Sequence, residues 1–147
     1  MKEPRNSESP PLLNPLDDHV GYQLRRTSAL LMSDLGTRLA PTGLRPTEVT
    51  ILLVIRANPG CPQGAIGELL GVKPANMVPL IAKLVKEGLV DRAKADGRSH
   101  SLTLTTAGRT KVSEVTDLLE RHDAAMLARL DRQSLAGLLA ALAKLRG

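Results

Sequence analysis

Apolar side chains recur at helical spacing over most of the chain. The first run predicts a long helix from about Asp18, as its N-cap, to Ala40. Its apolar positions lie close to heptad spacing: Val20, Leu24, Leu31, Leu35 and Leu39. A second helix is predicted from Pro46, with Glu48 in its first turn, where the helix dipole favours an anion. Its centre, residues 51–55, is apolar on all sides and predicts a buried helix.

The middle of the chain, from Ala65 to Leu104, has a different organisation. A short helix from Gln63 to Leu70 ends at Gly71, and a second helix-length segment runs from Pro74 to Glu87. A strand beginning at residues 89–90, a turn at Asp96-Gly97 and a returning strand at 102–104 follow. Two helices and a two-stranded hairpin outline a winged helix-turn-helix. In that fold the second helix enters the DNA major groove and the hairpin reaches the flanking backbone or minor groove.

Two further helices are predicted after the hairpin. Thr105-Thr106 caps one that runs to about Leu130, and Asp131 caps a leucine-rich last helix. These helices and the first one are more apolar than a thin wrapping of one domain requires, which predicts packing against a second copy of the chain. The alternative is that they pack only within one chain.

The predicted fold class is mainly α: a winged helix-turn-helix with long N- and C-terminal dimerisation helices and a two-stranded β wing. Residues 1–16 hold four of the ten prolines and are expected to form a flexible arm. Residues 17–45 and 107–147 form the expected dimerisation region, and residues 46–106 the DNA-binding region of one structural domain.

Composition supports a helical core. Apolar residues make up 42% of the 147 residues, yet Tyr22 is the only aromatic one, whereas sandwiches and barrels use many aromatic and β-branched side chains. The single cysteine excludes an internal disulfide framework. No apolar run approaches the roughly 20 residues of a membrane span, and the N-terminus lacks the apolar region of a signal peptide. We therefore expect a cytoplasmic protein without a membrane partner.

Charge is segregated along the sequence. Residues 1–72 carry seven basic and seven acidic side chains, and residues 112–147 carry five of each. Residues 73–111 carry eight basic and three acidic ones, so the whole net charge of +5 lies on the predicted second helix and hairpin. A local positive field suits a polyanion such as DNA, because neutralised phosphates release counterions. A solvated basic face is the alternative explanation.

Together these residues resemble the MarR family of transcriptional regulators. The matching motifs are Leu69-Leu70-Gly71-Val72, Gly88-Leu89-Val90, the wing pair Asp96-x-Arg98, and Leu102-x-Leu104-Thr105-x-x-Gly108. The resemblance covers residues 18 to 147. It implies a homodimer, in most cases a repressor, that binds a pseudo-palindromic operator on double-stranded DNA and is often released by a small-molecule effector. It implies no cofactor.

The second helix of the motif departs from the family pattern. It opens with Lys73-Pro74-Ala75-Asn76-Met77-Val78-Pro79, and Pro79 removes a backbone donor. Either the helix effectively begins near Asn76, or its first turn is tightened. Asn76 suits bidentate contact with adenine and Lys73 contact with guanine or phosphate, while a cap without base contact is the alternative for Asn76.

The candidate DNA contacts lie on this helix and the hairpin. They are Lys73, Pro74, Asn76, Val78, Pro79, Lys83, Arg92, Lys94, Arg98 and His100. In the wing, Asp96 is expected to orient Arg98 so that its guanidinium enters the minor groove; the alternative is a turn residue beside an exposed cation. Arg92 and Lys94 are expected to contact phosphates. His100 is either a backbone contact or a solvated strand residue.

Other chemistry has weaker support. The resemblance implies a ligand crevice between the dimerisation helices and the winged region, with Tyr22, Arg25, Ser28 and Met32 as candidate lining; ordinary packing is the alternative for each. Cys61 lies just before the third helix, where a hydrophobic staple is expected rather than a redox sensor.

Two other classes of function compete with DNA binding. The scattered histidines have no metal spacing and there is no phosphate-binding glycine loop, so an enzyme is not expected. A helical dimeric ligand-binding or interaction protein without sequence-specific DNA binding is the alternative function, but it leaves the charge segregation unexplained.

Overall fold

A computed structural model describes residues 12–94 and 100–147, apart from the side chain of Lys94. The elements follow one another as α1 (Val20–Leu39), α2 (Pro46–Ala57), β1 (Cys61–Pro62), α3 (Gln63–Leu70), α4 (Pro74–Lys86), β2 (Val90–Lys94), β3 (His100–Leu104), α5 (Thr106–Leu127) and α6 (Arg132–Arg146). A single 3₁₀ turn, Ala40–Thr42, follows α1. The winged helix-turn-helix architecture is confirmed.

The sheet contains one strand more than the predicted two-stranded wing. Its order is β1-β3-β2, with both pairs antiparallel. Cys61 lies opposite Leu102, and the Gly60 N–H donates to the Leu102 carbonyl over 2.8 Å. The two residues of β1 are too few to show the alternation of apolar and polar side chains that predicts a strand. Their strand exists because β3 has a free edge beside the end of α2.

The core lies between the end of α1, α2, α3, α4, the sheet and the first half of α5. Its fully buried side chains are aliphatic or Met, as expected for a chain with so few aromatic residues; among them are Leu39, Ile51, Leu52, Ile55, Ile66, Met77, Ile81, Leu84, Leu102 and Val112. The prediction that the centre of α2 is buried is confirmed, because Ile51, Leu52 and Ile55 are inaccessible to solvent and residues 53–54 are half-buried.

Side-chain caps fix the first residues of α5 and α6. Thr105 caps α5 through a hydrogen bond from the Gly108 N–H to its Oγ1 at 2.9 Å, and Asp131 caps α6 through one from the Ser134 N–H at 2.7 Å. Both predicted caps are confirmed. A Cβ on Gly108 would lie 2.0 Å from the Leu89 carbonyl oxygen, so only glycine allows α5 to start this close to the sheet.

Two predicted boundaries were wrong. Asp18 does not cap α1, which begins at Val20 after a turn over residues 15–18 in which the Asn14 amide donates to the Asp17 carboxylate over 2.6 Å. The Asp17 carboxylate is thus bound within that turn and does not reach the helix start, where His19 is the N-cap residue. The helix before α6 ends at Leu127 and not near Leu130, whose N–H closes a turn onto the Leu127 carbonyl.

Two other features bear on the predictions made from sequence. No helix of the described residues is long and apolar enough to cross a membrane. The predicted turn at Asp96-Gly97 and most of the predicted arm, residues 1–11, lie outside the part of the chain that the structure describes.

Candidate nucleic-acid interface

The turn between α3 and α4 fixes how the second helix of the motif is presented. Gly71 ends α3 with φ of 64°, a left-handed conformation that favours glycine. Gly67 lies against the start of α4, because a Cβ there would be 3.0 Å from the Val72 carbonyl oxygen and 3.3 Å from Met77 Cγ. The two helices therefore pack closely, and the outer face of α4 projects from the surface.

The observed start of α4 excludes one of the two explanations proposed for how Pro79 is accommodated. The helix begins at Pro74, not near Asn76, and Pro79 is its sixth residue. The first turn is tightened as the other explanation required, since the N–H groups of Asn76 and Met77 both donate to the Lys73 carbonyl, over 2.9 and 3.1 Å. Pro79 removes the bond to the Ala75 carbonyl, and Ala75 is exposed, so water can take its place.

Asn76 is therefore not the helix cap. The N-cap position belongs to Lys73, which makes no side-chain cap hydrogen bond, and Asn76 is the third residue of α4 with an exposed side chain. The local geometry leaves its amide available to an outside partner. Its contact with adenine stays a prediction.

The two faces of α4 differ sharply in character. Met77, Ile81 and Leu84 are buried at a spacing of four and three residues and hold the helix on the core. The outward face consists of eight exposed residues of the helix: Pro74, Ala75, Asn76, Val78, Pro79, Ala82, Val85 and Lys86. Lys73 is exposed immediately before them. Pro74, Asn76, Val78 and Pro79 are thus on the surface that the sequence assigned to DNA.

Lys83 is differently placed. Its Nζ lies 2.8 and 2.7 Å from the two carboxylate oxygens of Glu48 and 3.7 Å from Glu87 Oε1. Glu48 is only 2% exposed and also accepts the Arg45 N–H at the start of α2 over 2.9 Å. A buried carboxylate requires such a partner. The predicted DNA contact of Lys83 stays untested, but its position favours a structural role that links α2 to α4.

The described part of the wing carries one exposed cation on a partly buried sheet. Arg92 is exposed on β2 opposite Leu102, and the backbone of Lys94 lies opposite His100. His100 is half-buried, and its Nδ1 finds no hydrogen-bond partner within residues 12–94 and 100–147. Asp96 and Arg98, the predicted groove-reading pair, lie outside the described residues.

The structure describes the side chains of six of the eight basic residues of the positive segment, and these six fall into two groups. Lys83 and Lys111 are paired with carboxylates, and Arg109 donates to the Leu104 carbonyl over 2.9 Å and to Thr106 Oγ1 over 3.0 Å. Lys73, Lys86 and Arg92 are exposed and make no ion pair with any described residue. Lys73 and Lys86 thus lie at the two ends of α4, and Arg92 lies on β2.

The four candidate ligand residues do not line one cavity. Met32 lines a cavity of about 220 Å³ between α1, the start of α2 and the turn after α3; its other lining residues are Pro46, Thr47, Thr50, Leu70 and Val72. Tyr22, Arg25 and Ser28 are not part of that lining. The Arg25 guanidinium lies 5.6 Å from the centre of the Tyr22 ring, and the Tyr22 hydroxyl accepts from Asn14 Nδ2 over 3.1 Å.

Cys61 sits in a structural environment. It is half-buried on β1 against the core, and desolvation by burial raises the pKa of its thiol above the ordinary value. A thiol with a raised pKa forms little of the thiolate that reacts with peroxide. The environment therefore favours the structural reading of Cys61.

Sequence reasoning missed two buried polar contacts, one between α2 and α4 and one between α1 and α5. Glu48 was interpreted as a partner of the helix dipole, and only the packing of α2 against α4 reveals its burial beneath Lys83. His122 of α5 is 4% exposed, and its Nε2 lies 3.3 Å from Asp34 Oδ2 of α1. A polar residue on an apolar helix face was the only signal for either contact.

Comparisons with known proteins agree with this arrangement. Residues 42–99 match the model of the MarR family. The HTH-type transcriptional repressor Rv2887 of Mycobacterium tuberculosis is 32% identical over 116 residues, which cover 78% of this chain and 84% of that protein. The transcriptional repressor CouR bound to a 23-mer DNA duplex superposes with a TM-score of 0.89 at 32% identity, covering 95% of this chain and all of that one.

A second structure of the same neighbour carries a small molecule. CouR bound to p-coumaroyl-CoA superposes with a TM-score of 0.84 at 30% identity, over 92% of this chain and 96% of that one. The extent of these matches, together with the winged helix-turn-helix described above, identifies the protein as a DNA-binding transcriptional regulator and not an enzyme. The chain belongs to the MarR family.

Proposed function

We propose that this protein is a cytoplasmic, homodimeric repressor that binds a pseudo-palindromic operator and is released by a small-molecule effector. In this proposal α4 enters the major groove, and the β2–β3 hairpin contacts the adjacent backbone and minor groove. The observation that carries the proposal is the outer face of α4, which is exposed and has at its two ends Lys73 and Lys86, neither of them ion-paired with a described residue.

The charged and polar residues of the interface support separate roles in contact with the DNA backbone and with the bases. Lys73 stands at the N-terminus of α4, where the helix dipole also favours an anion such as a DNA phosphate. Arg92 lies on the hairpin and suits a phosphate of the flanking backbone. Asn76, three residues into α4, is the polar group best placed to distinguish a base. Backbone contacts would thus set the position and Asn76 would supply part of the specificity.

The dimer is supported by the terminal helices. No residue of α6 is buried, and its Leu138, Leu139 and Leu145 are exposed in the single chain. Leu24 and Leu30 of α1 are exposed as well. Exposed leucines at helical spacing have a strong tendency to associate with another apolar surface. A second copy provides that cover and brings two α4 helices to one operator.

The effector is proposed to occupy the cavity beside Met32. Its lining comes from α1, α2 and the end of α3 with the turn that follows it. A molecule bound there would therefore change the position of the terminal helices relative to α4. CouR has been solved with DNA and with p-coumaroyl-CoA, which makes an aromatic acyl thioester a reasonable first probe. Tyr22, Arg25 and Ser28 remain candidates for contact with its exposed part.

The test uses full-length protein and fragments tiled across the DNA upstream of its own coding sequence. We expect one fragment to bind at least about 10³-fold more tightly than scrambled DNA by fluorescence anisotropy, with affinity falling as salt rises. Asn76→Ala should reduce binding to that fragment and spare scrambled DNA. Lys73→Ala should weaken binding to both, whereas Lys111→Ala, which removes a charge already paired with Glu114, should change neither.

The competing class makes the opposite prediction. A helical interaction protein without sequence-specific DNA binding would still dimerise, but would bind every fragment and scrambled DNA equally. Equal binding across all fragments would therefore reject the proposed repressor and favour the alternative.

A further inference from the structure

The outer face of α4 is unusually apolar for a surface that contacts DNA. Of its eight exposed residues, only Asn76 and Lys86 carry polar side chains; the other six are Pro74, Ala75, Val78, Pro79, Ala82 and Val85. Ala75, Val78, Pro79, Ala82 and Val85 are three or four residues apart, so they form one continuous stripe along the helix. Val78 is the most prominent, with 56% of its surface exposed.

The core does not account for this stripe. Met77, Ile81 and Leu84 already fix α4 on the opposite side, and each is inaccessible or nearly so. An apolar stripe on a surface helix generally contacts a partner. The partner must tolerate the unpaired cations Lys73 and Lys86 at the two ends of the stripe, which points to an anionic surface with apolar groups inside it.

The DNA major groove has one such apolar group. Guanine, cytosine and adenine present hydrogen-bond donors and acceptors there, with only small ring C–H groups beside them, whereas thymine adds its C5-methyl. Alkyl side chains cannot bond to the polar edges, and pressing them against such an edge would remove water without replacing its hydrogen bonds. Ala75, Val78 and Pro79 therefore discriminate in favour of thymine.

Resting on the proposed function, we propose that this protein selects its operator through thymine methyl groups, contacted by Ala75, Val78 and Pro79 in the N-terminal half of α4. Asn76 lies between Ala75 and Val78 in sequence and prefers adenine, so both kinds of contact select A·T pairs. Each half-site is thus centred on A·T pairs whose thymines face the apolar stripe. Base-contacting residues of such helices lie near the N-terminus, which assigns Val85 and Lys86 to the periphery.

The experiment removes single methyl groups from the DNA. In the fragment that the protein prefers over scrambled DNA, each thymine is replaced by uracil, one position at a time and in both half-sites. We expect at least one position at which wild-type affinity falls about fourfold per methyl, or about fifteenfold for the symmetric pair, as burial of one methyl implies. Uracil outside the half-sites should have no effect.

Two variants connect that loss to the stripe. Val78→Ala should lower affinity for the thymine operator and reduce the uracil effect at one position to less than twofold. Val85→Ala is the same truncation at the far end of α4 and should leave the full uracil effect. Both residues are on the surface, so their melting temperatures should match the wild type, which checks that folding is intact.

A methyl on another base provides the converse test. At the sensitive position, 5-methylcytosine should bind more tightly than cytosine by about the same fourfold. If uracil and thymine bind alike at every position while one fragment is still preferred over scrambled DNA, methyl recognition is wrong and the repressor proposal stands. If no fragment is preferred, the repressor proposal fails and this inference fails with it.

Discussion

The winged region and the terminal helices use their apolar residues in opposite ways. In the winged region leucine, isoleucine and methionine close a core within one chain, and the helix that faces outward keeps Met77, Ile81 and Leu84 inside. In α6 no residue is buried at all. Both regions have a similar helical spacing of apolar residues in the sequence. The spacing alone therefore does not show whether a helix packs within its own chain or against a second copy.

This difference assigns the two regions separate tasks. The core of the winged region is filled within one chain, but Leu35 and Leu39 of α1 and Val112 and Val115 of α5 are part of it, and we propose that its α4 face binds DNA. The other apolar residues of the terminal helices, above all those of α6, are largely uncovered in one chain, and we propose that a second copy covers them. A change in the first region should therefore alter stability or DNA recognition, and a change in the second should alter assembly first and DNA binding as a consequence.

The largest expected effect comes from removing the exposed leucines of α6. Deletion of residues 131–147, or Leu138→Asp together with Leu139→Asp, should abolish dimerisation and weaken operator binding by more than about 100-fold, because two linked half-sites bind with a high effective concentration. Leu69→Asp changes a leucine of the winged region that is more exposed than either of these and should leave the dimer intact. Sedimentation of the full chain as a monomer at micromolar concentration would refute the assignment.

Within the winged region, two lysines separate stability from recognition. Lys83→Ala should lower the free energy of unfolding by about 1–3 kcal/mol, since it leaves the buried Glu48 carboxylate without its cation. The loss is smaller than for a fully buried pair because the Lys83 side chain is 37% exposed and partly screened. Lys73→Ala should leave stability unchanged and reduce the salt slope by about one unit per half-site.

Urea denaturation and salt-dependent anisotropy measure the two quantities separately. A double variant, Lys83→Met with Glu48→Gln, should recover part of the lost stability, because no buried charge is left alone. If Lys83→Ala instead reduced the salt slope like Lys73→Ala and left stability unaltered, Lys83 would be a DNA contact as the sequence first suggested.

The wing offers a test in which sign matters more than size. Arg98→Ala should weaken operator binding by about 1–3 kcal/mol, the range of a well-placed groove contact. Asp96→Ala should weaken it too, although it makes the protein more basic, because Arg98 loses the residue expected to orient it. Both variants are compared by anisotropy over a salt series. Tighter operator binding by Asp96→Ala would reduce the wing to a diffuse positive charge.

The smallest expected effect is at Cys61. Cys61→Ser should leave operator affinity unchanged, with or without peroxide, since burial raises the pKa of the native thiol and keeps it protonated. The comparison is made by anisotropy with reduced and peroxide-treated protein. Release of the wild type but not of the variant by peroxide would make Cys61 a sensor.

Local chemistry explains why much of this fold was predictable. Pro46 at a helix start, Gly71 and Gly88 at helix ends, and the caps Thr105 and Asp131 each act within a few residues, and each was found where expected. The strand at residues 61–62 was missed because it depends on β3, forty residues away.

The candidate site was predictable only in part for the same reason. Charge placed the site on residues 73–111, but charge cannot show that Lys83 turns inward to Glu48 or that the outer face of α4 is nearly free of polar groups. Those facts follow from the rotation of α4 on the core, which Met77 and Ile81 set by packing. The sequence likewise could not show that the N–H groups of Asn76 and Met77 both donate to the Lys73 carbonyl, so that α4 begins at Pro74 and contains Pro79.

The central claim, that two chains cooperate on one operator through their terminal helices, is tested most directly by stoichiometry. Analytical ultracentrifugation of the full-length protein with its preferred upstream fragment should give two chains per duplex, and the Leu138→Asp, Leu139→Asp variant should give no complex at the same concentration. One wild-type chain per duplex, or equal binding by that variant, would contradict it.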